Sequence, residues 1–467
     1  MMIVTVVLCY FLLLYAVSRW TGRGATNDTF FRARRRAPWP MVAFGMVGAS
    51  ISGVTFVSVP GMVTTSQMTY LQLCMGFIVG YVVVAAVLLP LYYRLRLTTI
   101  YTYLEGRLGP RSYSTGAWFF LVSKMAGAVV KFYVVCMLLQ QFVFDGLGVP
   151  FIVTVAMLVL LIWLYTRRGG IGTLVVTDTI QTTILLTALL LIIHNVTSQL
   201  GLSPSEAVRA VADSPLSRVF VFDDTASPHH FVKQLLSGAF IVIVMTGLDQ
   251  DMMQKNLTCR TLRDAQKDMC SYGLVFLPVN LLFLALGVLL TMLSGAATGD
   301  HLLLDYVQSA SQLAVPFTLG IVAASFSTAD SALTSMTTSY CVDICRRPDD
   351  ELLRRRVHLA MCLLFVFFIV MFRMVNSTSL LDAVYTLVSY TYGPLLGLFA
   401  FGLFTRRSVD DGLVPYVCIA SPLVCYAVQA AADAFFGYHF GYELLMLNGL
   451  LTFLSLFVRR KSTRLRV

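Results

Sequence analysis

Apolar runs of about 20 residues, the length needed to cross a bilayer as a helix, recur along this chain from the first residues to the last. Hydrocarbon offers no partner to a bare peptide group, so only helices and closed barrels can cross it. The runs are helical in length, and their mean hydropathy pushes the overall value to +0.78. With 12% charged residues, against about 25% in an average soluble domain, the chain reads as an all-α polytopic membrane protein. Thirteen spans are expected, near 1–17, 39–62, 70–93, 114–142, 148–166, 171–194, 232–252, 269–293, 312–340, 357–374, 379–404, 412–435 and 440–457. The first lacks a basic start and a small-residue cleavage site, so it is expected to be retained rather than removed as a signal peptide.

An odd number of spans puts the termini on opposite sides, and basic residues choose the orientation. With the N-terminus outside and the C-terminus cytoplasmic, only Arg209, Arg218, Lys233 and Arg373 of the 34 Lys and Arg fall on the outer side, the last two at the very ends of their spans, and only Lys124 and Lys131 fall deeper within a span. The excess of +10 then reflects topology and contact with anionic lipid in the plasma (inner) membrane, and nucleic acid is not expected as a partner. The ten Cys are scattered, and Cys341 and Cys345 have no matching Cys or His pair nearby, so free thiols are expected and zinc is not. The outer loop 195–231 contains "SPSEAVRAV", with Ser203 as a cap, Pro204 in the first turn and Glu206 three residues on, the pattern of a short surface helix. The inner stretch "QKNLTCRTLRDAQKD" reads as a charged, helical hinge.

The second span is the anomaly. "GASISGVTFVSVPG", residues 48–61, carries Gly48, Gly53 and Gly61, four hydroxyl side chains and Pro60 where a plain apolar helix would serve. Five spans later "TGLDQDMMQ" sets Gly247 in the membrane with acids after it. Interrupted helices at matching places in two five-helix halves point to an inverted-repeat transporter with its site near the midplane.

Charges inside a membrane are expensive and usually functional. Asp178 lies in the sixth span and Asp330 in the ninth. The ninth span places Ala324, Ser327, Thr328 and Ser331 on one helical face, with Asp330 beside them. Such a hydroxyl stripe also suits close helix packing. Hydroxyl, carbonyl and carboxylate oxygens are hard ligands, with no His or Cys among them. A break at Gly48–Gly53 frees the carbonyls of Gly48 and Ile51 from the helical ladder, and a monovalent cation such as Na+ would satisfy them. Of the two intramembrane cations, Lys124 is placed to snorkel toward its span end, and Lys131 sits deeper. Tyr392, beside Gly393 and Pro394, is either an outer gate or a packed tyrosine.

These stretches, together with "GGIGTLVVTDTIQ", "LDQDMMQKNL", "AASFSTADSALTS" with the following "VDI", and "YGPLLGLFAFGLF", resemble the sodium:solute symporter family of proline, sugar, sialic acid, iodide and multivitamin carriers. The resemblance covers essentially the whole chain. It implies the leucine-transporter fold, with an extra N-terminal helix (1–17), inverted five-helix repeats at 39–194 and 232–404, and two further helices at 412–457. Thirteen helices with the N-terminus outside is also the family's usual layout. By the same resemblance, one transported Na+ is held by the carbonyls of Gly48, Ile51 and Ala324 and the hydroxyls of Ser327 and Thr328. Relatives commonly carry alanine in place of Gly48, and that exchange is expected to matter little. A second Na+ would use Asp178, Ser327, Asp330 and Ser331, where Asp330 departs from relatives with serine; a proton on Asp330 is the alternative. Ser52 and Thr55 match solute-binding positions, and Gln72 and Lys131 are added as candidates, Lys131 favouring an anionic solute. The expected function is sodium-coupled symport of a small organic solute by alternating access, acting as a monomer or weak oligomer. An ion channel, a proton-coupled carrier and, more remotely, an intramembrane aspartyl protease are the alternatives. A sensor would need an output domain beyond the last span, where only ten residues follow. The sugar, sugar acid, amino acid, carboxylate or vitamin class of the solute stays open.

Overall fold

The computed structural model describes residues 2–224, 227–294, 299–375, 387–438 and 440–458. The start of the eleventh expected span (379–386) and the basic tail "RRKSTRLRV" lie outside them. The described residues are helical throughout their regular structure, with no strand among them. In chain order the main helices are α1 (Met2–Thr21), α2 (Trp39–Ser50), α3 (Gly53–Ser66), α4 (Tyr70–Arg94), α5 (Pro110–Leu139), α6 (Phe151–Gly169), α7 (Ile171–Gln199), α8 (Pro204–Ala212), α9 (Phe231–Gly247), α10 (Gln250–Asn256), α11 (Leu262–Ser294), α12 (His301–Ser309), α13 (Ala314–Ser339), α14 (Glu351–Val375), α15 (Gly393–Phe404), α16 (Val414–Phe436) and α17 (Leu444–Ser455).

Eight of these helices are long and apolar enough to cross a membrane alone, and two more crossings are bent pairs. The hydroxyl-rich α13 and the shorter apolar α15 and α17 match the remaining expected spans. The pairs α2–α3 and α9–α10 bend by 64° and 71°, at the two places where glycine and polar residues interrupt the apolar pattern. All ten cysteines are free thiols. The surface helix α8 forms as its letters suggest. Ser203 Oγ accepts from the Glu206 amide and Glu206 Oε2 accepts from the Ser203 amide at 2.8 Å. Those bonds to Ser203 hold the Glu206 carboxyl below the usual range.

Helices in lipid gain little from hiding apolar surface from one another, so they associate by close packing of small residues. The extensive α4–α9 contact follows that rule. A Cβ added at Gly76 would collide with the Leu235 carbonyl oxygen and lie 3.0 Å from the Gly238 Cα. Buried rings fill the wider gaps: Phe56 meets Phe283 edge-on at 5.2 Å, and Phe326 sits between Phe11 at 4.8 Å and Phe132 at 5.3 Å. Through Phe11 the first helix joins the core rather than standing apart, and Gln181 of α7 donates to the Tyr10 hydroxyl at 3.0 Å.

At the centre α13 packs on α7, α5 and α2, and Phe317–Ser339 is buried apart from the partly exposed Leu319. A helix this polar is stable in a membrane only when protein surrounds it. At one end of it Asp343 is buried, accepting hydrogen bonds from Tyr113 at 2.9 Å, Ser339 at 2.5 Å and Thr99. That contact ties the loop after α4 to the end of α13.

Candidate functional site

The first break is built by side chains that replace the helical ladder. In an unbroken helix the Ser52 and Thr55 amides would donate to the carbonyls of Gly48 and Ile51. Here the Ser52 amide donates to Thr55 Oγ1 at 3.3 Å, and the Thr55 amide donates to Ser52 Oγ at 3.4 Å. Ile51 takes an extended conformation (φ −84°, ψ 102°) and Ser52 becomes the cap of α3. Both carbonyls are thereby released. Across from them, Thr328 Oγ1 lies 3.1 Å from the Ala49 carbonyl and 3.1 Å from the Ala324 carbonyl. Ser327, one residue away, donates to Asp178 Oδ1 at 2.8 Å. Gly48, Ile51, Ala324, Ser327 and Thr328 are therefore buried side by side, although more than 270 residues separate the two segments. The donor set is peptide and alcohol oxygen, which suits a hard monovalent cation. Among the described residues no cluster of His, Cys, Asp and Glu could hold another kind of metal.

Two expectations need correction at this point. Gly48 is not interchangeable with alanine here, because an added Cβ would overlap Thr182 Oγ1 and lie 2.9 Å from Thr182 Cβ and 3.1 Å from its Cα. The close approach of α2 to α7 imposes the glycine. Lys255 is not part of a charged inner hinge. All seven residues of α10 are buried, and Lys255 Nζ pairs with Asp178 Oδ2 at 2.8 Å. Asp330 faces other partners: Tyr165 donates to its Oδ2 at 2.6 Å and Ser331 to its Oδ1 at 3.3 Å.

A cavity adjoins the break. Ala49, Ser50, Ser52, Thr55 and Thr328 form one wall, and Lys124, Lys131, Asp249, Asp251 and Tyr392 contribute to the rest. Gln72 does not line it. Its Nε2 donates to the His229 carbonyl at 2.9 Å and its Oε1 accepts from the Val221 amide at 3.2 Å, so it fastens the loop before α9 to α4. Lys124 does not snorkel. It pairs with Asp249 at 3.2 Å and Asp251 at 2.7 Å, because the second break carries these carboxylates to it. Asp249 caps α10 by accepting from the Asp251 amide at 2.8 Å, and it also accepts from the Tyr392 hydroxyl at 2.6 Å. Tyr392 is thus held in the cavity wall. Lys131 lines the cavity with no hydrogen bond or ion pair among the described residues. Asp251 Oδ1 is buried without a hydrogen-bond partner.

Reading the letters missed Asp249, Asp251 and Lys255 as site residues, and also Tyr165, which holds Asp330, and Thr182, which packs against Gly48. One signal was present: Gly247 followed by Asp249 is a break followed by a helix cap, so α10 was available as the mirror of α3. Its charges lowered the local hydropathy and gave it the look of a loop.

Comparison with known proteins adds the following. A family model described as the sodium:solute symporter family matches residues 30–414. The sodium/sialic acid symporter NanT of Aliivibrio fischeri is 24% identical over 92% of this chain and 88% of its own length. The sodium/sialic acid symporter SiaT of Proteus mirabilis is 24% identical over 90% of this chain and 88% of its own length. Among solved structures, the substrate-bound outward-open state of a Na+-coupled sialic acid symporter superposes with a TM-score of 0.79 at 21% identity, covering 98% of this chain and 97% of the other. That likeness bears on the fold.

Proposed function

The chain belongs to the sodium:solute symporter family, and on that premise we propose that sodium binds where the first break meets α13 while a small anionic solute binds in the adjoining cavity. It is a multi-pass membrane transporter and not an enzyme. The observation that carries the reading is the shared wall: Thr328 and Ala49 belong both to the cation region and to the cavity lining. Sodium on the carbonyls of Gly48, Ile51 and Ala324 and the hydroxyls of Ser327 and Thr328 would fix the orientation of Ser52 and Thr55, one turn further along. Solute binding then proceeds against an ordered wall, and each ligand raises the affinity for the other by the same factor.

The solute assignment rests on Lys131, an ammonium that faces the cavity with no ion pair among the described residues, the nearby Asp249 and Asp251 being paired with Lys124. Residues 39–194 and 232–404 act as the two repeats, whose breaks lie at α2–α3 and α9–α10, and rocking of one against the other exposes the cavity to alternate sides. The N-terminus is outside and the C-terminus cytoplasmic, as the basic residues require. An acidic sugar of the kind named for two relatives is the first solute to test. Purified protein should gain thermal stability from the solute more strongly in NaCl than in KCl. Stabilisation by neutral sugars alone, or equal stabilisation in the two salts, would refute the assignment.

A further inference from the structure

The carboxylate of Asp178 already has a cation. Lys255 Nζ stands 2.8 Å from Oδ2, with the two side chains 3% and 1% exposed. The other oxygen, Oδ1, accepts a hydrogen bond from the Ser327 hydroxyl. Asp330 lies within electrostatic reach of Lys255 and is itself held by Tyr165 and Ser331. A second sodium site made from Asp178, Ser327, Asp330 and Ser331 would need its ion beside the carboxylate that the ammonium occupies. As arranged, these donors do not fit a second ion.

We propose that Lys255 is a tethered stand-in for a second transported cation, so that this protein couples one sodium ion and not two. The proposal rests on the sodium site described above. A cation attached to α10 loses no translational freedom when it pairs, whereas a free ion does. Two cations on one carboxylate in so dry a setting also repel strongly.

The test uses radioactive sodium alone as the probe, bound at equilibrium to the full-length protein in lipid nanodiscs. Wild-type protein is expected to bind one ion per chain without cooperativity. Lys255→Met frees Asp178, and two ions per chain with a Hill slope above one are expected. Asp178→Asn removes the carboxylate to which Ser327 donates, and sodium affinity should fall by about tenfold or more, the equivalent of about 1.4 kcal/mol. Two ions on the wild type, a folded Lys255→Met protein that still binds one, or an unchanged affinity in Asp178→Asn would each overturn the proposal. Should Lys255→Met not fold, the wild-type stoichiometry and the Asp178→Asn titration decide. Absence of any sodium binding to the wild type would instead remove the sodium site on which the proposal rests.

Discussion

Thr328→Ala isolates the link between the broken helix and α13. The Thr328 hydroxyl bridges the Ala49 and Ala324 carbonyls at 3.1 Å each, and no other side chain joins α13 to the peptide groups of that break among the described hydrogen bonds. Its removal takes one oxygen from the cation and leaves the Ala49 carbonyl without its alcohol partner. A hydrogen bond or ligand contact to a charged group is worth about 1.5–3 kcal/mol, so half-saturating sodium should rise by roughly 10- to 150-fold. Sodium-dependent stabilisation provides the assay. At a sodium concentration of 100 times the wild-type dissociation constant, binding adds about 2.7 kcal/mol. A tenfold weaker site at the same concentration adds about 1.4 kcal/mol, and a hundredfold weaker site about 0.4 kcal/mol. Denaturation in matched NaCl and KCl separates this loss from any general loss of stability, which both salts would report. Thr328→Ser keeps the hydroxyl and should stay close to wild type. If Thr328→Ala holds its half-saturating sodium within about twofold of wild type, the hydroxyl is not a ligand and the site as drawn is wrong.

Gly48→Ala should destabilise the protein by about 1–3 kcal/mol, as overpacking does, because the new methyl group meets Thr182; Thr182→Ala in the same chain removes the Oγ1 overlap but keeps the Cβ, so it should restore part of the loss, and additive losses in a double-mutant cycle would refute the contact. Gln72→Ala should lower the unfolding temperature by breaking the ties to His229 and Val221 while solute affinity in the presence of sodium stays within about twofold; a large drop in affinity at unchanged stability would return Gln72 to the binding site. Lys131→Met should abolish stabilisation by anionic solutes and spare sodium binding, measured by the same denaturation series; retained anion binding would place the recognition elsewhere.

How legible all this was depends on whether a feature is written in one stretch of letters or shared between two. The break at α2–α3 was legible because glycines and a capping pair, Ser52 and Thr55, are local. The stripe Ala324–Ser331 was legible because helical periodicity is local too, and the family resemblance set the two segments against each other. The partners of charges were not legible. Lys124 meets Asp249 across 125 residues, and nothing near either one announces the other. Lys255 was misjudged because a charged, amide-rich turn reads as a loop wherever hydropathy is averaged, whereas seven buried residues need only enough protein around them. Gln72 was misjudged for the converse reason: a lone amide in a span suggests a ligand, yet a loop carbonyl and a loop amide satisfy it equally well.

The two breaks solve the same physical difficulty with opposite charge. Unwinding a helix inside a membrane exposes peptide groups that must find partners. At α2–α3 the exposed groups that matter are carbonyl oxygens, and the neighbouring helix answers with a hydroxyl, leaving a nest of oxygens that attracts a cation. At α9–α10 the exposed groups are the amides at the start of α10, and Asp249 answers them from within the chain. That carboxylate then demands a cation of its own, which Lys124 supplies. On the proposed reading one break stays open to an ion from solution, while the other is closed by the protein's own charges. Because Thr328 and Lys131 border the same cavity, an ion at the open break adds positive potential where an anionic solute would lie. In the proposed arrangement that attraction acts directly between the two ligands, so their coupling needs no long-range relay.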